Sequence, residues 1–285
     1  MRIKFIQKII DKIRKKKQNN INIINILETV LYYIPNSSVI RPFMYSPIET
    51  IRELQNTNKS FVRFGDGEIL LINKNSIPFQ QYDKDLSEKL KQIIKNEQKD
   101  LMVGINFHYF YPQDYNPCLI SEISKEIYIK EVPKYRCKLL ELIDIKHKYY
   151  SSDLYIDKYK KEVFEESRKI WDSKEIVIVN CKNAIKNIEY DIYDNAKKID
   201  YIYISNKNCY SDTNFVYNEI EKHGKDKLYI LQAGPSAKVW AAELALKGFR
   251  VLDLGHLQKQ YDYYKKGIDM TKSENVKKMY APDEE

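Results

Sequence analysis

From residue 174 onward the chain alternates short apolar runs with amphipathic ones, and this alternation limits the fold more than any other feature. "EIVIVN", "DYIYIS", "KLYILQAG" and "FRVLDLG" have the length and the β-branched or aromatic character of buried strands. Among them, "DIYDNAKKI", "DTNFVYNEIEKH", "SAKVWAAELALKG" and "LQKQYDYYKKG" have helical spacing. Short strands that alternate with helices of about ten residues predict parallel strands joined by crossover helices. The expected class is α/β, a doubly wound, mostly parallel sheet flanked by helices.

Upstream the pattern is less regular. "SPIETIRELQ" reads as a helix entry with Ser46 as cap and Pro47 in the first turn. A strand follows at 61–64, then a helix in "DKDLSEKLKQIIKN" and a buried strand in "DLMVGIN". Residues 107–172 are aromatic, charged and mostly helical in pattern, without separable elements. The expected division is a basic extension and linker over 1–47 and one α/β domain over 48–285.

The charge is unevenly placed. The chain carries +8 in 285 residues. Residues 1–17 hold eight Lys and Arg against Asp11 alone, so 8 − 1 = +7 lies there and +1 in the rest. A nucleic-acid binder spreads a basic stripe over its folded domain, so nucleic acid is not expected as a partner. Ile3, Ile6, Ile10 and Ile13 follow helical spacing among the lysines. Such a helix suits an anionic membrane surface, and a solvated basic tail is the plain alternative. No apolar run reaches the roughly 20 residues of a membrane span, nor is there the apolar core of a signal peptide. The expected location is cytoplasmic, with peripheral contact on the inner face of the membrane as an option. Four scattered cysteines and four scattered histidines form neither a disulfide framework nor a common zinc spacing.

Three segments fall at expected strand ends, where parallel sheets bind ligands. "RFGDGE" sets Asp66 and Glu68 two residues apart, with Gly65 and Gly67 leaving room for a ligand to approach the backbone beside Arg63. Two hard oxygen donors suit Mg²⁺ or Mn²⁺. The structural alternative is helix capping by Asp66, with Glu68 in the first turn. In "LQAGPSAKVWAAEL", Gly234, Pro235 and Ser236 open a helix whose free N–H groups would receive an anion, or form an ordinary strand-to-helix corner. In "RVLDLGHLQKQY", Asp253 and His256 bracket the last strand end. Asn206, in "SNKNCYSD", could contact a base or a sugar, or serve a turn.

Together, "RFGDGE" and "AGPSAKVWAAELALKGFRVLDLGH" resemble the bacterial glycosyltransferases of the GT-D fold, over roughly residues 48–266. The resemblance implies a Rossmann-like sheet of GT-D type. It puts the family's Asp-x-Glu motif, which engages metal and the sugar-nucleotide diphosphate, on Asp66 and Glu68. The Gly-Pro-Ser/Thr-Ala turn falls on Gly234, Pro235, Ser236 and Ala237, and Asp-x-Gly-His on Asp253, Gly255 and His256. Phe79 and Gln80 match a further family segment. This chain departs where the family usually has Asp and this sequence has Glu243, and at Gln258 and Gln260 where acids are usual.

The resulting expectation is a metal-dependent transfer of a hexose from a UDP-sugar to a glycan or lipid-linked glycan acceptor, in surface polysaccharide or glycoprotein assembly. Mn²⁺ or Mg²⁺ would sit on Asp66 and Glu68. His256, Asp253 and Glu243, in that order, are candidates for the base that an inverting reaction needs. The alternatives are a non-catalytic sugar-nucleotide or glycan-binding module, or another Rossmann-like transferase such as a methyltransferase.

Overall fold

The computed structural model describes residues 39–112, 122–154, 160–270 and 272–280, with Leu27, residues 30–32 and Ile34 ahead of them. The basic segment 1–17 and its expected amphipathic helix lie outside the described residues. Eight strands form one sheet: β1 (Phe43–Met44), β2 (Ser60–Arg63), β3 (Leu101–Ile105), β4 (Lys148–Ser151), β5 (Glu175–Asn180), β6 (Lys198–Tyr203), β7 (Leu228–Leu231) and β8 (Arg250–Asp253). Their order is β1-β4-β3-β2-β8-β7-β5-β6, and the pairings between them are parallel. The sheet thus takes in Phe43–Met44, ahead of residue 48.

Ten helices of the described residues cover it: α1 (Pro47–Asn56), α2 (Asp66–Ile72), α3 (Lys84–Lys95), α4 (Phe107–Phe110), α5 (Glu122–Leu142), α6 (Lys160–Trp171), α7 (Thr213–His223), α8 (Ser236–Leu246), α9 (Leu257–Lys265) and α10 (Ser273–Tyr280). Alternate strand residues point to opposite faces. Val62, Val103, Val177, Val179, Tyr229, Leu231 and Val251 therefore join one buried cluster, with Leu90 of α3, Val216 of α7 and Trp240 of α8. Phe61, Met102, Ile176, Ile178, Ile230 and Leu252 join the other, with Leu54 of α1, Trp171 of α6 and Leu257 of α9. Right-handed crossovers account for this division. The links β2–β3, β3–β4, β6–β7 and β7–β8 all step toward β1, and their helices share the first face. The links β1–β2 and β4–β5 step the other way, placing α1 and α6 on the second.

The regular part of the sequence reading holds, with one correction. "DIYDNAKKI" is not a helix but a series of turns leading into β6. Its backbone groups are bonded by neighbouring side chains instead of by a helical ladder. The Ile192 carbonyl accepts from the Trp171 indole and from Arg168, and the Ile192 N–H donates to Gln258. Asp191 takes the N–H of Tyr193, a local bond typical of turns. In the unassigned middle, β4 is a strand that four residues, "KYYS", do not announce. Its register comes from the neighbour, with Gly104 opposite Tyr150.

Ile230 sits in the interior strand β7 and is fully buried. Ile230→Ala should lower unfolding stability by about 2–5 kcal/mol, seen in urea as an earlier midpoint with an unchanged slope.

Candidate active site

β2 lies between β3 and β8, so the chain segments that leave these three strands meet at one edge of the sheet. β2 hands over to α2 through Phe64 and Gly65, and α2 opens with Asp66. Glu68, one turn in, folds back: Oε2 accepts the Gly65 N–H at 2.8 Å. The capping alternative is thus realised by Glu68 and not by Asp66. Glu68 Oε1 lies 3.0 Å from Nζ of Lys238, and the residue is buried.

Lys238 is the third residue of α8 and the lone cation in an otherwise apolar first half of that helix. Its ammonium is buried and spends its three protons on protein. Glu68 Oε1 and Asp253 Oδ2 are both at 3.0 Å, and the Gly234 carbonyl is at 3.0 Å. Burial acts to lower the Lys238 pKa, but the Asp253 and Glu68 charges outweigh it, and the value is raised.

Asp253, the last residue of β8, is fully buried. Its Oδ2 also accepts the backbone N–H of Arg63 at 3.1 Å, while Oδ1 has no partner. The Arg63 guanidinium donates from Nη1 to the Ser152 carbonyl at 3.2 Å and turns its Nη2 end toward Gly255. A Cβ at residue 255 would fall 1.9 Å from Nη2, and the backbone there has φ +51°. The positive φ favours glycine, and a side chain there would push the Arg63 guanidinium aside. Two cations, Arg63 and Lys238, thus stand with two buried anions, Glu68 and Asp253, in a frame of zero net charge.

Asp66 is outside that balance. Its side chain is exposed and accepts only the backbone N–H groups of Gly67, at 2.9 Å, and of its own residue. The surrounding protein nevertheless desolvates it. Burial, with Glu68 adding repulsion, pushes its pKa up. The Asp66 charge acts on Tyr109 and Tyr135 and adds to the burial that raises their pKa values; the two rings have centroids 6.3 Å apart and planes 19° apart.

Behind Tyr109, at the ends of β3 and β4, lies a buried His108–Asp153 pair joined through Nδ1 and Oδ2. Asp153 also accepts the N–H of Phe107 at 2.9 Å, the N–H of His108 at 3.4 Å and the hydroxyl of Ser151 at 3.3 Å. Burial opposes ionisation of Asp153, yet His108 and these donors hold its pKa below the usual range.

Of the residues singled out in the sequence, the structure gathers Arg63, Gly65, Asp66, Gly67, Glu68, Gly234, Pro235, Ser236 and Asp253 around these contacts. His256 is exposed at the start of α9, next to Gly255. One candidate does not join them. Glu243 lies two turns into α8, where it binds Lys89 at 2.9 Å and the Tyr217 hydroxyl at 2.6 Å. Asn206 follows the edge strand β6, in a segment that folds back toward the α8 turn, where Cys209 Sγ meets the Ala233 carbonyl at 3.3 Å and the Ser236 hydroxyl at 3.4 Å. Asp253, a candidate base, has no surface through which to meet an acceptor. The expected anion site at α8 is narrower than its sequence implied, because the N–H groups of Ala237 and Lys238 donate to the Gly234 and Pro235 carbonyls at 3.2 and 3.3 Å.

The sequence reading missed Lys238, His108, Asp153 and Tyr109. A single lysine in the apolar start of "SAKVWAAELAL" was a visible signal for the first. No spacing connects His108 with Asp153, 45 residues apart.

For a divalent cation the donor set fits in part. Among the described residues no three His, Cys, Asp or Glu side chains cluster as a metal cage. Mg²⁺ is commonly held by one or two carboxylates plus substrate phosphates, and Asp66 meets that pattern. Both Glu68 oxygens are already engaged.

The profile of the glycosyltransferase GT-D fold matches residues 61–281, and the chain belongs to that family. A probable glycosyl transferase, Gly, of Streptococcus gordonii is 26% identical over 230 residues, covering 77% of this chain and 32% of that protein. Glycosyltransferase GlyD of Streptococcus pneumoniae is 28% identical over 234 residues, covering 77% and 27%. The chain therefore spans about a third or less of these relatives' own length. Among solved structures, the domain of unknown function 1792, described as having a distinct glycosyltransferase fold, superposes with a TM-score of 0.72 at 27% identity, covering 79% of this chain and 82% of that one. A protein of the same domain family from Streptococcus sanguinis, described as a new glycosyltransferase, gives 0.71 at 25% identity, covering 80% and 86%.

Asp153 stabilises the fold as an anion. A depressed acid contributes above its unfolded pKa, about 3.9, and loses that contribution as pH falls through the folded value. Asp153→Asn should lower Tm at pH 7, and the gap to the native chain should close below about pH 4, checked by melts across that range.

Proposed function

We propose that this domain transfers a hexose from a UDP-sugar to a glycan or lipid-linked glycan acceptor, as a step in surface polysaccharide or glycoprotein assembly. The observation that carries the reading is the convergence at β2, β7 and β8. One exposed carboxylate, Asp66, stands there beside a charge-neutral buried frame, in a chain of the GT-D family.

Asp66 would hold Mn²⁺ or Mg²⁺ against the donor diphosphate. Such a cation neutralises charge on the departing nucleotide. Arg63 and the turn of Gly65 and Gly67 shape the floor beneath the donor, and Gly234, exposed ahead of α8, borders it, with Pro235 and Ser236 buried behind that turn. His256 is the remaining candidate to take the acceptor proton, since Asp253 is enclosed and Glu243 is bound elsewhere. Contact with an anionic membrane through residues 1–17 rests on their charge and spacing alone.

A second reading, a sugar-nucleotide-binding module without transfer, draws support from those same two residues. With Asp253 and Glu243 out of reach, the acceptor side has one candidate base. Turnover separates the two readings.

In thermal shift assays UDP should stabilise the chain more with Mn²⁺ than without. Asp66→Asn should remove the Mn²⁺-dependent part and keep the Tm of the free protein. Normal Mn²⁺–UDP stabilisation in that variant would remove Asp66 from the site.

His256→Ala should keep UDP affinity within a few-fold and keep Tm, while transfer of the sugar falls by roughly 10²-fold or more. Undiminished transfer would exclude His256 as the base. Binding of UDP without transfer by the native chain would favour the binding module.

A further inference from the structure

We infer that Lys238 is a positioning residue that withholds Glu68 from the cation, leaving Asp66 as the single protein carboxylate that binds it. This deepens the cation-dependent nucleotide-sugar reading and rests on it.

The geometry is explicit. Glu68 has one oxygen on the Lys238 ammonium at 3.0 Å and the other on the Gly65 N–H at 2.8 Å. The same ammonium holds Asp253 and the Gly234 carbonyl. A cation that took Glu68 as a ligand would have to displace Lys238. It would then leave a buried ammonium with one carboxylate fewer, in surroundings that Arg63 already makes positive. A buried charge that loses its partner is strongly destabilising. Asp66 bears no such cost. It faces solvent, its hydrogen-bond donors are backbone N–H groups, and no cationic side chain of the described residues lies within ion-pair distance of it. Mg²⁺ and Mn²⁺ fill their remaining positions with phosphate oxygens and water. Glu68 thus fixes the turn that aims Asp66, and Lys238 fixes Glu68.

The test is calorimetric titration of the full chain with UDP, with and without Mn²⁺, and with Mn²⁺ alone. The ratio of the two UDP affinities reports the cation. Asp66→Asn should bring that ratio to within twofold of one. Glu68→Gln should keep it within threefold of the native value while Tm falls. Lys238→Met frees Glu68, so affinity for Mn²⁺ alone should rise five- to tenfold, and Lys238→Met/Glu68→Gln should abolish the rise. A purely structural lysine would not produce that gain. If Glu68→Gln loses the ratio as Asp66→Asn does, with Tm unchanged, Glu68 is a ligand and the inference fails. It fails also if a folded Lys238→Met shows no gain. Should Lys238→Met not fold, the comparison of Glu68→Gln with Asp66→Asn decides. UDP affinity independent of Mn²⁺ in the native chain would overturn the cation reading itself, and this inference with it.

Discussion

The buried ammonium of Lys238 is the contact on which the candidate site depends. It joins three segments remote in sequence: the turn of residues 65–68, the start of α8 at Gly234, and the end of β8 at Asp253. Taking an ion out of water costs several kcal/mol even after relaxation, and the pairing offsets that only when its geometry is good and its protons are used. Here the three protons have acceptors at 3.0 Å. Loss of one partner from such an arrangement costs about 3–5 kcal/mol. The segments are therefore held as a unit, and the first turns of α2 and α8 cannot move separately.

The sheet makes that contact available. β8 is last in the chain but lies beside β2, near the front of the domain, because the links β6–β7 and β7–β8 step across the sheet in the same direction as β2–β3. Right-handed crossovers then place α8 on the same face as α3. Trp240, Ala241 and Leu244 pack into that face, and this packing sets the depth at which Lys238 enters. The aliphatic stem of the lysine follows the apolar surface while its head reaches the carboxylates.

The parts of this fold legible in sequence were those encoded locally. "EIVIVN" and "KLYILQAG" are continuous apolar runs, and each became a strand close to its expected bounds. "DIYDNAKKI" has a helical spacing that tertiary contacts override, since Trp171, Arg168 and Gln258 take its backbone groups. β4 is set by pairing with β3 and has no pattern of its own. The site divides in the same way. Asp66, Glu68 and the Gly-Pro-Ser turn were visible as motifs, but whether a carboxylate faces a ligand or a lysine is decided across the sheet. Glu68 and Asp253 are buried against Lys238, while Asp66, two residues from Glu68, is not. The His108–Asp153 pair, made between the ends of β3 and β4, is wholly a product of topology.

Charge balance leads one step further. Arg63 and Lys238 cancel Glu68 and Asp253, so the frame offers no net attraction to a diphosphate. Asp66 adds a negative charge at the surface where the proposed donor would lie, and burial raises its pKa without a counter-charge to stabilise it. Two like charges about 4 Å apart repel by about 4 kcal/mol at the effective dielectric constant of a protein surface. A donor diphosphate and Asp66 would therefore exclude each other unless a cation stood between them. The same repulsion that would make Asp66 a liability in a free anion-binding site would give the proposed donor site its need for a divalent ion. A second acid in direct contact would bind that ion more tightly but would leave it less positive toward the departing diphosphate. Neutralising Glu68 with a lysine keeps the acidic turn rigid and would leave the proposed cation's charge for the diphosphate.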